Sequence, residues 1–283
     1  MIDAHHHVWD LAVRDQPWIE ADWPIRRSYS LADLAAEARP AGVEATVLVQ
    51  TVPDPAETPE LLALAARSGG AELRVAGVVG WVDLTAPDVA DALAALAAAE
   101  GGDRLAGIRH GVQSEEDPRW LDRPDVRRGL RAVGAAGLAY DLLTVPHQLP
   151  AAVRTARDLP EIRFVLDHLS KPLIARGDTT PWADDLRALA ALPNVAAKLS
   201  GLVTEADWTQ WSVATLRPYA EVALDAFGPD RLMFGSDWPV CLLAAGSYGE
   251  VVDAARELTA GLSEAERAEV FAGTARRWYR WPG

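Results

Sequence analysis

Apolar runs rich in β-branched residues recur eight times along the chain, at 2–8 (IDAHHHV), 45–52 (ATVLVQTV), 74–82 (RVAGVVGWV), 105–112 (LAGIRHGV), 138–145 (LAYDLLTV), 164–170 (FVLDHLS), 195–201 (VAAKLSG) and 232–239 (LMFGSDWP). Between most of them lie Ala/Leu-rich stretches with helical spacing, such as SLADLAAEARPAG, TPELLALAARSG, APDVADALAALAAAE, DVRRGLRAVGAAG and LPAAVRTARDL. Several open on a capping Ser, Thr or Asp and several end in Gly. Strands that alternate with helices pair in parallel through right-handed crossovers, and eight such units are the number that closes a barrel. An open doubly wound sheet would carry a Gly-rich phosphate turn after an early strand, and none is present. The expectation is therefore an α/β fold, a (β/α)8 TIM barrel, and with no polar linker in the chain a single domain over 1–283. The Trp-bearing segments at 9–23 and 203–218 lack clean periodicity and read as long loops, of the kind that cover barrel sites.

Composition narrows the partners. The 283 residues are 49% hydrophobic and 24% charged, a balance that can bury a sizeable core. A net charge of −14 repels a nucleic-acid backbone or an anionic membrane surface, so the expected partner is a small molecule. If that molecule is an anion, basic residues inside the site become informative. The single cysteine, Cys241, has no partner for an internal disulfide and reads as inert packing. The N-terminus lacks a signal-peptide pattern and no apolar run is long enough for a bilayer, so a cytoplasmic location is expected. Nothing fixes an oligomeric state, although exposed Trp on the long loops would suit a dimer contact.

All six histidines, His5, His6, His7, His110, His147 and His168, fall on or just after an expected strand. In a parallel barrel every strand aims its C-terminal end at one face, so residues far apart in sequence converge there. His5 and His7, two apart, share one side of strand one and can aim two imidazoles at one ion or substrate atom; His6 faces the other way. His168 ends strand six beside Asp167. Asp237 ends strand eight, where a carboxylate at the mouth has to be paired, metal-bound or functional; it reads as a general base, as a ligand that also takes a proton, or as a helix cap. Arg109, His110 and Lys198 bring donors to the same face, to hold a carboxylate or polarise a carbonyl, unless the Lys or Arg pairs with Asp141 or Asp167. Gln50, Trp81, Trp238 and Trp9 would make a hydrogen-bonding, aromatic wall for a sugar-like ring, with packing as the alternative for each Trp. Ser170 and Ser200 lack a nucleophile-elbow context, so the chain offers a water-activating site more readily than a covalent one.

IDAHHHVW at 2–9, GIRHGVQ at 107–113, Trp120-Leu121 with Arg123-Pro124, YDLL at 140–143, FVLDHLSKP at 164–172, KLSGLVTEADW at 198–208, GPDRLMFGSDWPV at 228–240 and the C-terminal FAGTARRWYR together make the chain resemble the amidohydrolase superfamily, in its lactonase-containing branch. The resemblance implies a distorted barrel that directs water at the carbonyl of a small ester, lactone or amide. It puts His5, His7, His168 and Asp237 at metal and catalytic positions and makes Arg109, His110 and Lys198 substrate contacts. The chain departs from the metal-dependent pattern at strand five, where Asp141 stands in place of a Lys or His. That argues against a bridged two-metal site and leaves a mononuclear zinc site at His5, His7 and Asp237 beside the favoured reading, catalysis without a required metal. The expected function is the opening of a small lactone, an aldonolactone, with Asp237 as base and His5, His7, His168 and Arg109 orienting substrate and stabilising the oxyanion. The alternatives are a zinc-dependent amidohydrolase or nonoxidative decarboxylase on the same barrel, and a noncatalytic sugar-acid-binding barrel.

Overall fold

The computed structural model describes residues 1–69, 73–279 and 281; Arg280, the last residue of the FAGTARRWYR motif, lies outside the described residues. Eight strands run β1 (Ile2–His6), β2 (Ala45–Val49), β3 (Arg74–Gly80), β4 (Leu105–His110), β5 (Ala139–Leu142), β6 (Arg163–Leu166), β7 (Val195–Leu199) and β8 (Leu232–Phe234). Each pairs in parallel with the next. The seam between β1 and β8 is closed by a single parallel bridge, His6 to Trp238, with the Asp237 amide donating to His5 O at 2.8 Å and the His7 amide to Trp238 O at 2.7 Å. The barrel expected from the alternation is present, with a thin seam as its distortion.

The helices follow in order: α1 (Leu31–Ala38), α2 (Glu57–Arg67), α3 (Val89–Ala98), α4 (Pro124–Ala135), α5 (Leu149–Asp158), α6 (Trp182–Ala190), α7 (Leu202–Glu205), α8 (Val213–Phe227), α9 (Tyr248–Leu258), α10 (Glu264–Ala268) and α11 (Thr274–Trp278). Local chemistry starts several of them. Ser30 caps α1 by accepting from the Asp33 amide, while the Asp33 carboxylate accepts from the Ser30 amide, and Ser212 and Ser263 open α8 and α10 in the same way. The 203–218 segment is therefore less of a loop than its lack of periodicity suggests, since α7 and the first turns of α8 lie in it. No helix among the described residues is long and apolar enough to cross a membrane.

Every strand ends before its apolar run does, β1 by two residues and β8 by five. Past the rim the strands diverge and the ladder gives way to isolated bonds, such as His7 N to Trp238 O and Gln50 N to Val79 O, so apolar residues there pack against loops and helix ends. Two expected positions change accordingly. His168 and Asp237 do not end strands six and eight; they sit on turns just beyond them, in the left-handed region with φ of 52° and 57°.

Inside the barrel the strands build layers. Ile2, Ala4, Val47, Val49, Ala139, Val165, Ala196 and Met233 form an apolar plug closed from below by Ala275, Trp278 and Tyr279 at the C-terminal end. Two residues further along β5, β6 and β7 the inward positions are Asp141, Asp167 and Lys198. On β1 the register with β2 shifts between Asp3 and His6; this irregularity turns His5 and His7 to the inner face that Ile2 and Ala4 occupy lower down. His6 faces outward and bonds Thr46 Oγ1 at 2.9 Å. Asp3, fully buried, staples the seam by accepting from the Ser236 amide at 2.8 Å, Ser236 Oγ at 2.6 Å, Tyr248 Oη at 3.1 Å and the His5 amide at 3.1 Å.

Candidate active site

The floor of the site is a buried charged layer. Lys198 Nζ donates to Asp141 Oδ2 at 2.6 Å, lies 3.0 Å from Asp167 Oδ1 and 3.0 Å from His5 Nδ1. Arg109 Nη1 donates to Asp167 Oδ2 at 3.0 Å, and Tyr279 Oη reaches up from below to Asp141 Oδ2 at 2.7 Å. Two cations meet two carboxylates, so the layer is neutral as a set. Burial raises the Asp141 carboxyl to about 6 against the pull of Lys198. Burial acts the same way on Asp167, but Lys198, His5 and Arg109 outweigh it and hold that carboxyl well below its ordinary range. Burial and the Lys198 charge push the His5 imidazole well below its usual value, which keeps it neutral.

Above this layer the mouth residues converge on Asp237. Its Oδ1 lies 3.5 Å from His7 Nε2, 3.7 Å from His5 Nε2 and 3.8 Å from His168 Nε2. Burial alone would raise the Asp237 carboxyl; His168, His7 and Lys171 more than offset it, and the group sits below its ordinary value, which keeps it ionised. His7 Nδ1 faces the Val49 carbonyl at 2.7 Å, and because a carbonyl only accepts, that nitrogen carries a proton and Nε2 is the atom turned toward Asp237. Burial lowers His168 to about 4; its Nδ1 pairs with Ser200 Oγ at 2.9 Å. Its ring also packs against Gly201, whose φ is +66° and where a Cβ would stand 2.5 Å from Nδ1.

A cavity of about 340 Å³ opens over this group, lined by His7, Gln50, Arg109, His110, His168 and Asp237 among others. Arg109 Nε and Gln50 Oε1, on two of the lining residues, are buried without a protein partner. His110 is held from three sides: Trp81 Nε1 donates to its Nδ1 at 3.1 Å, its Nε2 meets Glu115 Oε1 at 2.7 Å, and Trp120 stacks on its ring at 4.3 Å. A second cavity of similar volume lies behind the 9–29 loop against α1 and α2 and contains no histidine.

The donor set fits a divalent ion. Ligands held about 2.1 Å from zinc in a tetrahedron stand about 3.4 Å apart, and the His5–His7 Nε2 separation is 3.2 Å with Asp237 Oδ1 at 3.5 and 3.7 Å. His5, His168 and Asp237 also offer one ligand atom each within 4.8 Å of one another, so His168 joins the set expected from His5, His7 and Asp237. Asp141 is spent on Lys198 and Tyr279 and does not reach the mouth.

Five sequence expectations are corrected by these positions. Lys198 does not line this cavity, because it is fully buried in the floor. Trp238 is also fully buried; its Nε1 meets Glu37 Oε1 at 3.3 Å, and it packs between β8 and the α1 side rather than lining the cavity. Trp81 stands behind His110 instead of facing the cavity, and His147 is exposed on the turn after β5, away from the mouth. His5 reaches Asp237 from below without lining the cavity.

Sequence reasoning missed Glu115, Trp18 and Lys171 among the lining residues. Trp18 faces the cavity, with Trp9 packed edge-on behind it at 5.6 Å. Lys171 also lines it. A signal for Lys171 was available: of 27 Lys and Arg in the chain only two are Lys, 171 and 198, and both lie at this end of the barrel.

Lys171 closes a turn in which His168, Leu169, Ser170 and Lys171 all take left-handed backbone, φ 52°, 49°, 59° and 52°. For residues with a Cβ this costs roughly 1–2 kcal/mol each. The turn is held by bonds from Trp182 Nε1 to Leu169 O at 2.7 Å, from the Lys171 amide to His168 O at 2.8 Å, and between Ser170 Oγ and Thr144 Oγ1 at 2.8 Å.

Comparison with known proteins places the chain among relatives. The amidohydrolase family model matches residues 2–281. Among curated proteins the chain is 42% identical to L-fucono-1,5-lactonase of Burkholderia multivorans, covering 99% of this chain and 96% of that one. It is 39% identical to L-fucono-1,5-lactonase of Burkholderia ambifaria, covering 99% and 95%. A crystal structure of an amidohydrolase from Burkholderia multivorans with bound zinc superposes with a TM-score of 0.91 at 41% identity, covering 99% of each chain.

The floor layer makes a direct stability prediction. Lys198→Met leaves Asp141 and Asp167 facing each other without their shared cation, and removing one partner of a buried ion cluster costs about 3–5 kcal/mol. Urea unfolding followed by circular dichroism should show that loss as a lower midpoint; an unchanged midpoint would mean that the layer contributes little.

Proposed function

This chain belongs to the amidohydrolase family, and from that premise we propose that it hydrolyses a sugar lactone, by attack of a water molecule that Asp237 deprotonates. The observation that carries the mechanism is the Asp237 carboxylate itself, buried at the foot of a cavity, ringed by three imidazoles and kept ionised there. The substrate class is supported by full-length similarity to proteins named as fuconolactonases, which also favours an enzyme over the binding-only alternative.

Asp237 takes a proton from water as the oxygen adds to the ring carbonyl, and general-base assistance of this kind contributes about two to four powers of ten in rate. The carbonyl oxygen gains charge at that moment. Arg109, with an unpartnered Nε–H, and His168, with Nε2 toward Asp237, are the donors suited to meet it. Gln50 Oε1 and the Glu115–His110 pair suit the ring hydroxyls. His5 acts through its neighbours: standing on Lys198 and facing Asp237, it is a positioning residue. When the C–O bond of the ring breaks, the proton held by Asp237 passes to the departing oxygen and the Asp237 carboxylate is restored; the carboxylic acid so formed then releases its own proton to solvent, leaving the open sugar-acid anion.

A divalent ion would be held by His5, His7, His168 and Asp237, and when bound it would acidify water and polarise the carbonyl. Lactones are more electrophilic than amides and need that help less. The commitment of Asp141 to the floor removes the fifth-strand position from any ligand set.

Three expected outcomes follow from this reading. Asp237→Asn should lower kcat on L-fucono-1,5-lactone by about three orders of magnitude with the melting temperature preserved, in a pH-indicator assay; near-normal kcat refutes the base. Protein stripped with chelator, and checked by elemental analysis, should keep its kcat, whereas a loss restored by zinc alone would assign water activation to the ion. Gly201→Ala should push the His168 ring aside and cost roughly a hundredfold in kcat/KM; an unshifted ring in its crystal structure with normal kinetics would show that the close approach is unimportant.

A further inference from the structure

We propose that Lys171 receives the carboxylate created when the ring opens, so that the cavity is a binding site for the open sugar-acid anion as well as for the neutral lactone. The inference rests on the lactonase reading and deepens it.

Ring opening creates a charge that the cavity has to balance. The product carboxylate forms beside the Asp237 carboxylate, inside a protein of net charge −14, and like charges at that distance repel strongly in a partly dry cavity. A cation is needed on the cavity side. Arg109 lines the cavity, but its charge is already balanced by Asp167 through Nη1 and its Nη2 is given to the Gln50 carbonyl, which leaves one Nε–H for the carbonyl oxygen and no uncompensated charge for the carboxylate. Lys198 is sealed in the floor. Among the described lining residues, Lys171 is the remaining Lys or Arg, and its ion-pair partner, Glu205 Oε1, stands at 3.7 Å, longer than a tight charge-assisted bond.

The backbone places Lys171 beside His168. The left-handed turn from His168 to Lys171 brings residues three apart to the same side, and both line the cavity. Leu169 and Ser170 between them are fully buried and pinned to Trp182 and Thr144. A disfavoured backbone fixed this firmly is the mark of a side chain being aimed. The residue type also suits the task. This chain uses Arg for nearly every cation, yet has Lys here, where a compact ammonium on a flexible stem can swing from one carboxylate to another.

Glu205 then competes with the product for Lys171. Removing its charge should strengthen anion binding, the opposite direction to removing the lysine, and a structural role for the turn would not produce that pair of effects.

The test is calorimetric titration of the folded protein with L-fuconate and with L-fucitol, the same polyol without the carboxylate. Wild type should prefer L-fuconate by roughly tenfold, the strength of one charge-assisted bond. Lys171→Met should erase that preference while leaving L-fucitol unchanged, Lys171→Arg should keep most of it, and Glu205→Gln should raise it severalfold. No preference in wild type, equal weakening of both ligands in Lys171→Met, or unchanged or weaker L-fuconate binding in Glu205→Gln overturns the proposal. Because binding is read without turnover, the two readings separate. A protein that prefers L-fuconate but opens no lactone loses the lactonase reading alone, and one that opens lactones without the preference loses only this inference.

Discussion

The ammonium group of Lys198, sealed between Asp141 and Asp167, is the interaction on which the rest of the active end is built. Its three partners come from β5, β6 and β1, so one charge ties four strands at the same height. Such a cluster is indifferent as a source of net stability, because desolvation consumes most of the Coulomb gain. It is demanding about register. A two-residue slip of β5, β6 or β7 would keep the inside-outside alternation yet leave a charge facing the apolar plug below, and that alternative is closed off. Everything at the mouth inherits this precision, His5 through Lys198 and Arg109 through Asp167.

Close approach does the remaining positioning. At Gly201 and Gly235 the backbone comes so near His168 and His5 that a Cβ would stand 2.5 Å from one ring and 2.7 Å from the Cβ of the other residue. Side chains around Asp237 are thus fixed from behind by backbone as much as by hydrogen bonds, and neutral imidazoles can crowd a carboxylate without collapsing onto it.

The eight strands and most helices were legible in the sequence because their signal is local: alternating apolar runs and capped, Ala-rich segments. The His5-x-His7 pair was legible for the same reason, as strand parity. Strand ends were not, since a strand stops where its neighbour diverges, which no single run encodes. Lys198 was read both as a substrate donor and as a partner of Asp141 or Asp167, and only depth decided between them. Trp81 and Trp238 were misjudged because an indole packs as readily as it lines a cavity, while Trp18 was hidden in a loop with no period. Lys171 was visible in the composition, as one lysine of two in a chain full of arginine, a signal that motif reading passes over.

The thin seam between β1 and β8 has a consequence for the life history of the chain. The staple from Asp3 to Ser236 joins residues 233 positions apart, and contacts of such sequence separation form after local ones, once the intervening loop has been closed at an entropic cost. Asp237 is both a seam residue and the centre of the site. A nascent chain on the ribosome, with its early βα units already formed, therefore holds its histidines without a working centre. Hydrolytic competence arrives with the last strand, at the same moment as the closed barrel.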